Sequence, residues 1–185
     1  MAITLKLALF FFVFLSATNN ATSTRKSRDR IPLLAFRDGL ANSSRRLLHW
    51  DEPDSSSLCS WTGVSCNEDG ITVRALNLSA YGLEGKLAPE LGELRGIVSL
   101  DMSYNSLSGQ IPPELSNCSR LQTLFLNNNH FSGSIPPELF GLTELVNLDL
   151  GHNFLRSTIP LQIGKLKKLE FLGLYDNYLS GSIPK

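Results

Sequence analysis

Asn105, Asn129, Asn153 and Asn177 stand 24 residues apart, and the leucines ahead of them keep the same phase. The pairs Leu100/Met102, Leu124/Leu126, Leu148/Leu150 and Leu172/Leu174 share columns. A weaker first copy begins at Leu76 and Leu78, with Tyr81 where the asparagine belongs. In each pair the leucines point to one side and the residue between them to the other, as a strand requires. So short a strand cannot bury its leucines alone, so each copy must lie beside the copy before it and share one apolar interior. Where the chain then leaves the sheet, backbone N–H and C=O groups would be left inside without partners. A carboxamide, with two donors and an acceptor, can satisfy them across neighbouring coils, so the four asparagines are expected to form a ladder. Gly109, Gly133 and Gly181 permit a tight return path, while Pro112, Pro136, Pro160 and Pro184 disfavour a long helix there. Ser157 replaces the glycine in the fourth copy, where a small local distortion is expected.

The front of the chain poses a different problem. MAITLK is a short, positively charged start, LALFFFVFL an unbroken apolar run, and SATNNATS a set of small residues suited to cleavage. Residues 1–23 therefore read as a secretory signal peptide; the apolar run is too short for a membrane span, which needs about 20 residues. Export changes how the cysteines are read. Cys59 and Cys66 bracket SWTGVS and can close a small disulfide loop in an oxidising compartment. Zinc is the competing explanation, but it needs further ligands nearby, and His49 alone does not complete a site. Cys118 is left over and reads as a small buried apolar residue, since no base or cation cluster suggests an activated thiol. Asn42, Asn77 and Asn117 open glycosylation sequons, each of which requires solvent.

The period and its consensus, L-x-x-L-x-L-x-x-N-x-L, are those of leucine-rich repeats. The 24-residue form with LSGQIPPEL is similar to the plant-type repeats of receptor-like kinases. LLAFRDGL, LLHW and CSWTGVSC resemble the N-terminal cap that precedes those repeats. The resemblance implies a cap over residues 24–72 and, over 73–185, five repeats of 24 residues, the last incomplete. It further implies a cap built as a helical hairpin closed by Cys59 and Cys66, Trp50 and Trp61 packed near the first strand, and a second short strand in each coil of a twisted solenoid. The fold class is thus an α/β solenoid with parallel strands on the concave face, a helical N-terminal cap and no C-terminal cap. Tyr81 departs from the pattern, so the ladder is expected to start at the second coil.

Apart from any family, Leu33, Leu34, Phe36 and Leu40 give one amphipathic helical face, able to cover the open end of the stack. At the other end the chain stops at SGSIPK, leaving Leu172, Leu174, Leu179 and Ile183 on an apolar edge, from which a fragment or truncated gene product is expected. No other segment could cross a membrane, so any membrane attachment is expected only through a segment beyond Lys185.

Function is expected on the side chains that the strands turn outward. Tyr104, Phe125, Phe171 and Tyr175 are aromatic residues on a solvated face, and His152 joins them. Asp101 and Asp149 flank Phe125 in the same column, a combination suited to a basic or neutral peptide. Lys plus Arg and Asp plus Glu number 17 each, so no overall field points to nucleic acid. His49, His130 and His152 fall at different phases of the repeat, and no nucleophile elbow, metal pair or phosphate loop is present; no catalysis and no cofactor are expected. His130, next after a ladder asparagine, is expected at a turn. The reading is an extracellular module that recognises a peptide or protein, with a co-receptor ectodomain as a further partner. It would form the N-terminal part of a receptor-like kinase ectodomain on the outer side of the plasma membrane. The alternative is a secreted inhibitor of a microbial wall-degrading enzyme.

Overall fold

The computed structural model describes residues 27–41, 47–51 and 57–184, so the signal segment and Asn42 lie outside the described residues. Two sheets run the length of the repeats. The larger contains β1 (Val64–Cys66), β2 (Val73–Asn77), β4 (Ser99–Asp101), β6 (Thr123–Phe125), β8 (Asn147–Asp149) and β10 (Phe171–Gly173), in that order. The smaller contains β3 (Glu84–Lys86), β5 (Ser106–Gly109), β7 (His130–Gly133), β9 (Phe154–Thr158) and β11 (Tyr178–Ser180), all parallel, the second strand of each coil. His130 therefore begins a strand and does not sit in a turn.

Repeat periodicity fixes the register. Leu76, Leu100, Leu124, Leu148 and Leu172 pair in one row. The first four are at most 2% exposed, whereas Leu172, with no strand beyond it among the described residues, is 40% exposed. Each strand is thus buried by its successor, and each such leucine contributes about 1.5–3 kcal/mol once covered. Between the strands, short 3-10 turns at Pro89–Glu93, Pro113–Asn117, Pro137–Gly141 and Leu161–Lys165 carry the return path. Cys118 sits at the end of one such turn, 1% exposed, with its thiol directed at the Leu91 carbonyl; burial pushes its pKa up to about 11.

The asparagine side chains bridge successive coils. The Asn129 Nδ2 donates to Met102 O in the coil before (2.9 Å) and to Leu126 O and Asn127 O in its own, while its Oδ1 accepts the Leu107 N–H (2.9 Å). Asn153 does the same with Leu126 O, Leu150 O, Gly151 O and the Phe131 N–H. Asn105 and Asn177 repeat the arrangement toward Leu78 O and Leu150 O. The residue before each bridge, or before Tyr81 in the first coil, takes a left-handed backbone: Ala80, Tyr104, Asn128, His152 and Asp176 have φ between 49° and 58°.

The return corner at Ser157 shows no distortion. Its φ of 76° matches the 80–83° of Gly109, Gly133 and Gly181, and β9 pairs with β11 without a break. Serine thus holds the left-handed conformation that glycine holds in the other coils, and it is the backbone conformation that is costly.

The cap covers the first coil. Its α1 (Arg30–Asp38) buries Pro32, Leu33 and Phe36, with Leu40 buried just beyond, and Leu34 is half-buried. Among the described residues the cap has one α-helix and two 3-10 turns, Leu48–Asp51 and Leu58–Ser60; the stretches 42–46 and 52–56, on which the expected helical hairpin also depends, lie outside the described residues. The cap also contributes β1, antiparallel to β2, so the sheet opens with a strand of reversed direction. Cys59 and Cys66 are disulfide-bonded, with Cα atoms 5.5 Å apart. Trp50 stacks on Trp61 at 5.3 Å, the Arg30 guanidinium lies over Trp61, and His49 Nε2 accepts the Thr62 N–H. Gly85, at φ 125°, lets the smaller sheet touch the end of the cap helix; a Cβ there would lie 2.9 Å from Leu40 Cα.

Asp29 ties the cap to the sheet. It is 8% exposed and its Oδ2 accepts the Val73 N–H at 2.7 Å. Burial raises its pKa above the usual value, the Val73 bond pulls it back, and the charge of Asp69 adds to the rise.

These observations give three expectations. Asn129→Leu leaves the Leu107 N–H without a partner inside the stack and Met102 O with the Asn105 carboxamide alone, and should cost about 2–4 kcal/mol in urea denaturation, whereas Asn177→Leu at the exposed end should cost about half of that. Ser157→Gly should raise stability by about 1 kcal/mol in the same assay; a loss would show that the serine side chain is itself used. A raised folded pKa means that Asp29's contribution to stability is fullest below its unfolded value and declines as pH rises toward the folded one. Asp29→Asn, which keeps an acceptor for Val73, should therefore gain in melting temperature relative to the parent chain between about pH 4 and pH 7, and a pH-independent difference would contradict this.

Candidate ligand face

Alternation along the strands turns one set of side chains away from the core of the larger sheet. Its central column reads Asn77, Asp101, Phe125, Asp149 and Gly173, in direct register. Phe125 is half-buried between the two aspartates. The next column is Ser79, Ser103, Asn127, Gly151 and Tyr175, followed by the left-handed residues Ala80, Tyr104, Asn128, His152 and Asp176.

Three central residues serve the backbone as well as the surface. Asn77 Oδ1 accepts the Ser79 N–H, Asp101 Oδ1 the Ser103 N–H, and Asp149 Oδ1 the Gly151 N–H, each about 3 Å away. The Asp101 oxygen also takes the Ser103 hydroxyl at 2.6 Å, and Ser103 meets Ser79 at 2.8 Å, a polar chain linking neighbouring coils. Asp149 is only 8% exposed. Gly173 lies so close that a Cβ there would collide with the carboxylate, and Tyr175 bends back over Gly151 to bring its hydroxyl 3.5 Å from Asp149 Oδ2. The negative Asp149 holds the Tyr175 pKa above the usual phenol value.

The other expected face residues are open. Tyr104 is 60%, Tyr175 49% and Phe171 43% exposed. His152 packs edge-on against Tyr175 at 5.0 Å, and its Nδ1 lies 3.1 Å from Asp176. Phe171, in register with Asn147, Thr123 and Ser99, stands apart from the Tyr104 to His152 row. Asn77 and Asn117 are both exposed, the condition a glycan needs.

Sequence reasoning missed a second aromatic group. His130 stacks on Phe154 at 5.6 Å and Phe154 on Tyr178 at 6.2 Å, along the smaller sheet, with the Arg156 guanidinium over Tyr178. Phe154 and Tyr178 line an open recess together with His152 and Asp176. The signal was present, since all three stacked residues directly follow a ladder asparagine. Among the described residues no group of three or more His, Cys, Asp or Glu is placed to hold a metal, and no helix is long and apolar enough to cross a membrane.

The leucine rich repeat N-terminal domain family matches residues 26–67, and the leucine rich repeat family matches 96–118, 120–142 and 144–166. The chain is 41% identical over 69 residues to the LRR receptor-like serine/threonine-protein kinase ERL1 of Arabidopsis thaliana, covering 37% of this chain and 7% of that protein. It resembles a chain in the BIR3–SERK2 complex from Arabidopsis thaliana, with 39% identity, a TM-score of 0.78, and coverage of 84% of this chain and 85% of that one. A third likeness is to the structure of the Arabidopsis receptor kinase HAESA with the peptide hormone IDA and the co-receptor SERK1: 35% identity, a TM-score of 0.77, and coverage of 84% of this chain and 26% of the other. The chain thus spans a small part of the curated kinases it matches.

Proposed function

This chain belongs to the plant leucine-rich repeat receptor ectodomains, and from that premise we propose that it is an extracellular recognition module that captures a peptide or protein on the outward face of its larger sheet. The observation that carries the reading is the exposure of Tyr104, Phe171 and Tyr175 on a face whose backbone is fixed from behind by the asparagine bridges. Large aromatic side chains held rigidly in water are what a binding surface offers, because little conformational freedom remains to be lost on contact. The HAESA complex, with a peptide hormone and a co-receptor, and the BIR3–SERK2 complex support both partner classes. As part of a receptor-like kinase, the module would face the outside of the plasma membrane. The proposal gives it recognition and no catalysis. The wall-degrading-enzyme inhibitor reading is not favoured, since the curated relative described above is a receptor-like kinase and the HAESA likeness is a receptor kinase with its peptide hormone.

The test replaces the aromatic side chains on the proposed face. Peptides that co-purify with the secreted chain, quantified by mass spectrometry, should fall by on the order of tenfold or more for Phe125→Ala with Phe171→Ala. The melting temperature should stay within a few degrees, since neither ring belongs to the buried core. Equal recovery from both proteins would remove this face from consideration.

A further inference from the structure

In the central column every coil but two places an Asn or Asp whose Oδ1 accepts the N–H two residues on. Phe125 breaks that pattern in the third coil. Among the described residues the Asn127 N–H consequently has no acceptor. The Asn127 side chain compounds this: it is a polar residue only 7% exposed, and its carboxamide makes no hydrogen bond among the described residues, although its backbone carbonyl is taken by Asn129 and Tyr104. Asn127 lies on the same face as Phe125 by strand alternation. A buried, unpaired carboxamide with an unpaired N–H beside it is costly to keep, and a ligand that completes it removes that cost.

The surroundings specify the ligand. A peptide group offers a C=O to the Asn127 donors and an N–H to its Oδ1. Phe125 presents an aromatic ring, with Asp101 and Asp149 on the strands to either side, about 4.8 Å away in each direction. Asp101 Oδ2 makes no hydrogen bond among the described residues, and Asp149 Oδ2 has only the long contact to Tyr175. The outward columns described above carry Asp101, Asp149 and Asp176, and no Lys or Arg. A cation over the Phe125 ring would meet the π-face and one carboxylate at once.

We propose that the third coil anchors a basic peptide, with Asn127 pairing to its backbone and Phe125, Asp101 and Asp149 receiving an Arg or Lys side chain. This rests on the recognition reading above and names the ligand class for it.

The probes are short acetylated and amidated peptide libraries, each fixed at one position as arginine, glutamate or leucine, applied to the immobilised full chain. The arginine library should be retained on the order of tenfold more than the glutamate library. Asp101→Asn with Asp149→Asn should fold normally, because Asn77 already fills that structural role in the first coil, and should abolish the preference. Asn127→Ala should lower retention severalfold without lowering the melting temperature, since it removes no hydrogen bond made within the protein. A purely structural asparagine would give the reverse, with a lower melting temperature and unchanged retention. Charge-blind or acid-preferring retention, or retention that survives Asn127→Ala, overturns this proposal alone. Retention of no library by the parent chain overturns it together with the recognition reading.

Discussion

The architecture depends on one requirement: backbone groups that leave a sheet at a tight corner must find partners inside the protein. Met102, Leu126 and Leu107 are fully buried, and among the described residues no backbone group of a neighbouring coil pairs Met102 O, Leu126 O or the Leu107 N–H. The carboxamide of Asn129 or Asn153 reaches into the preceding coil through both its donor and its acceptor. Leucine burial supplies the larger share of the favourable energy, but it is non-directional and would tolerate a slipped stack. The bridges are directional, and a carboxamide in the wrong coil would leave several buried groups unpaired. They thereby convert an apolar pile into coils of one register.

That division of labour frees the outward face. Because leucines, asparagines and the left-handed corner fix the coil, the residues between the leucines are constrained only by their neighbours on the sheet. Even there the backbone makes a claim, through Asn77, Asp101 and Asp149, which each support an N–H two residues on. Two aspartates that look like pure ligand contacts are also local structure, and Asp149 in particular is nearly covered. That support is interrupted at Phe125, which leaves the Asn127 N–H without an acceptor among the described residues.

The solenoid was legible in the sequence because its constraints recur. Leu124, Leu148 and Asn129 each restate the same geometric demand at a spacing of 24. What occurs once was harder to read. The cap strand Val64–Cys66 has no repeat to compare with, and its pairing with Val73–Asn77 runs against the direction of every other strand. The Ser157 corner misled because sequence shows the lost glycine but not that a serine holds the same left-handed backbone there. The stacked row of His130, Phe154 and Tyr178 was visible at one column of the repeat, yet it lies on the smaller sheet, away from the residues between the leucines. Likewise, Asn127 is an ordinary residue in sequence; its unpaired state depends on what Phe125 is unable to accept.

The bridges can be tested without mutation by native-state hydrogen exchange at the amides of Leu107 and Phe131, whose N–H groups point at the carboxamide oxygens of Asn129 and Asn153. If these bonds hold the stack in register, both amides exchange only through global unfolding, with opening free energies equal to that of the whole domain. Exchange at the rate of freely solvated amides, while the flanking leucine strands remain protected, would contradict the account.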